Sequence, residues 1–85
     1  NWQKSVYNRD KYTCMLSGKK GRLVAHHLNG WDNFTEERFD INNGITLSKQ
    51  IHKLFHHLYK YGNNTKDQFL EFKSRWESGE FKNII

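Results

Sequence analysis

The stretch Asn43-Gly44-Ile45-Thr46-Leu47-Ser48-Lys49-Gln50-Ile51-His52-Lys53-Leu54-Phe55-His56-His57-Leu58 changes its apolar period partway along. Asn43-Gly44 reads as a tight turn and Ile45-Thr46-Leu47 as a short strand. From Ser48 to about Tyr61, the residues Ile51, Leu54, Phe55 and Leu58 fall at i, i+3, i+4 and i+7, the stripe of a helix with one buried face. Upstream, Arg22–Leu28 carries Leu23, Val24 and Ala25 in a run of strand length. Between the two strands, Asn29 to Asn42 is polar and loop-like, with an Asn29-Gly30 turn signal and Trp31, Phe34 and Phe39 to pin it down. So long a connection is more often functional than idle. Downstream, Gly62 stops the helix, and Thr65 with Gln68 forms a capping box for another that runs through Phe69, Phe72 and Trp76. At the other end, Trp2 and Val6 stand one turn apart in a short helix ending near Asp10, followed by the Ser17-Gly18-Lys19-Lys20-Gly21 turn cluster. The order is helix, strand, long loop, strand, helix, helix.

Eighty-five residues make one domain, spanning 1–85, near the size where a single core is just sufficient. The apolar fraction is only 35%, but three Trp, four Tyr and six Phe bury large areas per residue. The chain begins at Asn1 without a Met, which is compatible with a fragment of a longer protein. Fourteen Lys and Arg against nine Asp and Glu give a formal charge of +5, favouring a polyanionic partner, with nucleic acid first. Cys14 is the sole cysteine, which excludes an intrachain disulfide framework and a thiolate-rich zinc site and fits an intracellular setting. No apolar run approaches 18 residues, so no membrane span or signal peptide is expected.

The histidines carry the chemistry. His26 and His27 end the first strand, while His52 and His56 sit about 40° apart on the helix surface and can converge on one ion. His57 points about 100° away from His56 and is not expected to join them. An i, i+4 pair on an exposed helix edge arises readily by chance, but His26-His27 beside it changes the balance. Histidine is both the commonest metal ligand and a side chain suited to general-base work near neutral pH. Adjacent strand residues face opposite sides, so for both to serve one site the strand must end or twist there.

These residues resemble the HNH nucleases, in particular their phage and homing-type branch. The resemblance is carried by Ala25-His26-His27-Leu28, Arg38-Phe39-Asp40, Asn43-Gly44-Ile45-Thr46-Leu47 and His52-Lys53-Leu54-Phe55-His56, with the nine-residue step from Asn43 to His52. With Val6-Tyr7 and Arg9–Cys14 it covers roughly residues 6–72. It implies an α+β fold, a small ββα-metal (His-Me finger) HNH domain with flanking N- and C-terminal helices, acting on double-stranded DNA as a phosphodiester hydrolase. Residue by residue, it implies that His26 and His52 are metal ligands, that His27 is the general base, and that Asn43 braces the loop that holds the His27 ring. His56 is implied either as a third ligand, the favoured reading, or as a contact to the scissile phosphate. The implied cofactor is one divalent ion, Mg²⁺ or Mn²⁺, although ligands that are all imidazole suit Zn²⁺, Ni²⁺ or Mn²⁺ better than Mg²⁺. Such an enzyme works in the cytoplasm of a bacterium or phage-infected host, and cutting both strands calls for a homodimer.

Many relatives carry a second, structural zinc on two Cys-x-x-Cys pairs, whose positions here are Cys14 and Ser17, then Ser48 and Ile51. One thiol of four remains, so that zinc is not expected, and apolar packing by Met15, Leu16 and Ile51 is expected in its place. Arg9 and Asp10 read as a local ion pair. Trp2, Trp31 and Trp76 read as core or loop anchors rather than base-stacking platforms. Lys19, Lys20 and Arg22 are candidate phosphate contacts or merely solvated charges, and Arg38, in the loop near the site, is a candidate for the scissile or adjacent phosphate. Two rivals remain: a non-catalytic DNA-binding ββα module, and a histidine metal site that only holds the domain together.

Overall fold

The computed structural model describes residues 1–84. Helix α1 (Trp2–Arg9) precedes strand β1 (Leu23–His27), and strand β2 (Gly44–Ser48) runs straight into helix α2 (Lys49–Tyr59), with α3 (Lys66–Glu77) last. The strands pair antiparallel, with His26 opposite Ile45 and His27 opposite Gly44. No linker separates β2 from α2, because Ser48 ends the strand and caps the helix, its hydroxyl accepting from the Ile51 N–H at 3.2 Å. Two strands and one helix therefore form a single ββα unit.

The Asn43-Gly44 pair is not the tight turn its sequence suggests. A 3-10 turn over Ile41–Asn43 closes first, and Gly44 enters the strand with φ −129° and ψ 152°. Glycine is required there for proximity, since a Cβ would lie 2.6 Å from Trp2 Cζ2 and from Val6 Cγ2. Helix α1 presses on the hairpin at this point. The Arg9–Asp10 pair extends beyond a local contact and fastens α1 to β2. Asp10 Oδ2 accepts from the Thr46 N–H at 2.9 Å, while Arg9 donates to the carbonyls of Ile41 and Gly44, both at 2.7 Å. Thr46 also accepts from the Met15 N–H at 3.0 Å, so residues 10–15 cover the outer edge of β2.

Phe55, Phe69 and Phe72 form the centre of the core with Leu28, Leu47 and Ile51, and each fully buried Phe contributes about 1.5–3 kcal/mol. The Thr65–Gln68 capping box starts α3 as its sequence indicates. Trp76 packs against the core, and Phe81, beyond the helix, closes it from below. Cys14 and Ile51 are buried and Leu16 packs beside them, but Met15 is 51% exposed and takes no part in that packing. Its backbone serves the sheet edge, and the side chain points outward.

The long loop also differs from expectation. Trp31 and Phe39 are 47% and 74% exposed and do not pin it. Polar contacts do: the buried Asn43 amide accepts from the Asn29 N–H at 2.8 Å and donates to the carbonyls of Asn29 and Glu37. Among the described residues, no helix is long and apolar enough to cross a membrane.

Candidate metal centre and catalytic cleft

Strand alternation sends His26 inward and His27 outward. His26 is 3% exposed, its ring 4.8 Å from that of Phe55 and 5.6 Å from that of Phe69. Helix α2 brings His52 and His56 against the same spot, and one ring nitrogen from each of the three histidines lies within 4.8 Å of the others. His57, one residue on, is exposed and outside the cluster.

Each imidazole in the cluster is arranged differently. His56 Nδ1 donates to the Lys60 carbonyl at 3.0 Å, so its Nε2 carries a lone pair. That Nε2 lies 3.1 Å from His52 Nε2, which must then supply the proton between them. His26 Nε2 is buried with no hydrogen-bond partner. A buried, unpartnered imidazole nitrogen ordinarily costs about 1–3 kcal/mol, and a cation that reached it would satisfy it. Burial lowers the His26 pKa to about 3, helped by repulsion from His52, His56 and His27, and burial with repulsion from His56 lowers His52 to about 4. Both rings are neutral at pH 7, the form that binds metal. The donor set therefore fits a divalent ion: three imidazoles converge, and one of them is already oriented by an outer carbonyl.

That orienting carbonyl was not legible in the sequence. Helix α2 ends at Tyr59, two residues before its expected end, because Lys60 adopts φ 66° and ψ 174°. The reversed Lys60 carbonyl accepts from His56 Nδ1 and from Asn64 Nδ2, and the Asn64 carbonyl accepts from Gly30 N–H at 2.9 Å. Tyr61 stacks on His56 with ring centroids 4.0 Å apart. Lys60, Tyr61 and Asn64 thus support the site without belonging to any spacing that the sequence displays.

His27 stands apart from the cluster yet lines the same cleft, a cavity of about 320 Å³ that also takes in His26, His52 and His56. Its ring stacks on Trp2 at 3.8 Å, nearly parallel, and Trp2 Nε1 donates to the Asp40 carbonyl. His27 Nε2 donates to the Arg38 carbonyl at 2.9 Å, which leaves Nδ1 as the lone-pair nitrogen. Asn43 acts one step away: its carbonyl accepts from the Leu28 N–H, fixing the chain immediately after His27.

The basic candidates fall elsewhere. Lys19, Lys20 and Arg22 share a groove of about 660 Å³ with Lys49 and Lys53, larger than the histidine cleft and free of acidic side chains. It carries charge and no catalytic group. Arg38 donates from Nε to the Trp31 carbonyl, with its guanidinium 4.4 Å above the Trp31 ring. Ser17, Ser48 and Ile51 border the basic groove beside Cys14. There the Cys14 sulfur accepts from the Ser17 N–H at 3.5 Å. Burial pushes this thiol up, but the hydrogen bonds from Ser17, Ser48 and Leu16 outweigh it and leave its pKa below the ordinary value.

Among curated proteins and among solved structures, nothing matches the chain. The family profile described as HNH endonuclease matches residues 14–59, from Cys14 through β1, the long loop and β2 to the end of α2. That span is more than half of the chain and contains His26, His27, Asn43, His52 and His56, so the protein belongs to the HNH endonuclease family.

Proposed function

We propose that this domain is a divalent-metal-dependent DNA endonuclease that hydrolyses phosphodiester bonds, with His27 as general base and His26, His52 and His56 holding a single ion. The observation that carries the reading is the division between neighbours. One strand residue, buried with an unpartnered nitrogen, joins a three-histidine cluster, and the next lines the same cleft with one ring nitrogen already satisfied and the other left with its lone pair. His27 Nδ1 accepts the proton of a water lined up against the phosphorus, and its developing positive charge is steadied by the Arg38 carbonyl and the Trp2 face. When bound, a divalent ion supplies Lewis-acid stabilisation of the charge on the phosphate and the leaving 3′ oxygen. Asn43 keeps the His27 ring in place through Leu28 and Asn29.

Lys19, Lys20 and Arg22, with Lys49 and Lys53, bind DNA phosphates away from the cut, and the terminal nitrogens of Arg38 bind one near it. All-imidazole ligands favour Mn²⁺, Zn²⁺ or Ni²⁺ over Mg²⁺. A single-site domain nicks one strand per event, so double-strand cutting requires two copies.

Plasmid nicking tests this. Cleavage is expected with a divalent ion, none in EDTA, and none from His27→Ala. Cleavage undiminished in EDTA overturns the mechanism. DNA binding without nicking in any of Mg²⁺, Mn²⁺, Zn²⁺ or Ni²⁺ leaves the chain a binding module.

A further inference from the structure

We propose that the hollow on the far side of His27 is a nucleobase pocket, and that DNA is cut with the base beside the scissile phosphate unstacked and held against Trp31 and Phe39. This rests on the nuclease reading of the adjoining cleft and names the state of the substrate that cleft receives.

The hollow has a volume of about 350 Å³ and is lined chiefly by Trp2, Gln3, His27, Trp31, Arg38 and Phe39. Ala25, His27 and Trp31 also line the histidine cleft, so the two cavities meet at the ring assigned as general base. Trp31 stands edge-on to His27 at 5.8 Å, and Phe39 edge-on to Trp31 at 5.7 Å. Two large rings, 47% and 74% exposed, therefore stand side by side at the catalytic wall and not in the core. Such a patch marks a contact surface more than it stabilises the domain.

Its chemistry selects the occupant. Aromatic faces accept any base by stacking, and Arg38, 4.4 Å over Trp31, supplies the positive charge that a base brings a phosphate to meet. An apolar peptide or lipid tail would have no use for that guanidinium. The platform is also rigid before binding. Arg38 Nε is tied to the Trp31 carbonyl at 2.9 Å and Trp2 Nε1 to the Asp40 carbonyl at 2.8 Å, and neither bond occupies the Phe39 ring. Loop residues that fail to pin the loop are thereby accounted for. DNA whose bases leave the stack cheaply, such as single strands and mismatches, should bind better than fully paired duplex.

The test uses the whole chain in EDTA, where binding is read without cleavage. Fluorescence anisotropy compares a labelled oligothymidylate with a strand of equal length made of abasic sites, which keeps the charge and removes the bases. The parent is expected to bind the base-bearing strand about tenfold more tightly. Trp31→Ala and Phe39→Ala should erase that preference, Phe39→Ala should leave abasic affinity unchanged, Trp31→Phe should retain the preference, and Leu70→Ala, equally exposed on α3, should change neither. Equal binding of both strands by the parent overturns the pocket without recourse to any variant, as does an undiminished preference in the Trp31→Ala and Phe39→Ala variants. Plasmid nicking is scored separately: failure to nick overturns the nuclease reading, while the anisotropy still decides the pocket.

Discussion

Two places in this chain correspond, by the resemblance, to positions where HNH nucleases can hold metal, and they stand in opposite conditions. At the Cys14 turn the donors are spent internally: the Cys14 sulfur accepts from Ser17 N–H, the Ser48 hydroxyl caps α2, and Ile51, wholly buried, offers none. At the histidine cluster a donor is left over, because His26 Nε2 has no partner among the described residues. Residue identity alone would have drawn attention to a cysteine as readily as to a histidine. What separates the two places is whether the protein itself has already used the lone pairs.

The comparison breaks most directly at His27. His27→Ala should cut cleavage by about 10²- to 10⁴-fold while metal affinity, followed by calorimetric titration, stays at the parent value. Loss of metal binding instead would mean that the neighbours have exchanged roles. His52→Ala and His26→Ala should weaken metal binding by about a hundredfold or more and lose cleavage with it. They should also abolish the rise in Tm that a bound ion gives the parent.

Acid provides a third probe, and its sign follows from which state holds the proton. An unfolded histidine titrates near 6.5, whereas native His26 is lowered to about 3 by burial and by its histidine neighbours. Between those values the unfolded chain binds a proton that the native chain refuses, so stability falls as pH falls. His26 alone should cost the metal-free protein on the order of 3 kcal/mol between pH 6.5 and pH 4, and His52, lowered to about 4, should add to that loss, measured by urea denaturation. A flat profile would show that His26 is reached by water more freely than its packing implies. The smallest effects belong to the spent side. Cys14→Ser should leave one metal per chain by elemental analysis, and His57→Ala should change stability by no more than about 0.5 kcal/mol and leave nicking alone.

The ββα order, the capping box and the convergence of His52 with His56 were legible because each rests on a local period or spacing. The partition of His26 from His27 followed from strand alternation. Gly44 misled, since an Asn-Gly pair carries the same letters whether it turns the chain or lets a tryptophan approach. Trp31 and Phe39 misled for a related reason: apolarity in a loop does not say whether a ring faces the core or the solvent. Lys60 and Asn64 were invisible, because one acts through a backbone carbonyl and the other through a contact with Gly30 that only the folded chain brings about.

The 3.1 Å contact between His52 and His56 fixes how the centre exchanges protons with its surroundings. Because burial and the neighbouring His56 keep His52 neutral, the hydrogen it places between the rings belongs to a tautomer and not to an acid. If His26, His52 and His56 held a divalent ion, that hydrogen would move from His52 Nε2 to Nδ1 on the same ring and none would pass to the solvent. The heat of metal uptake at neutral pH should then be the same in buffers of very different ionisation enthalpy, marking a centre loaded by internal rearrangement and not by competition with protons.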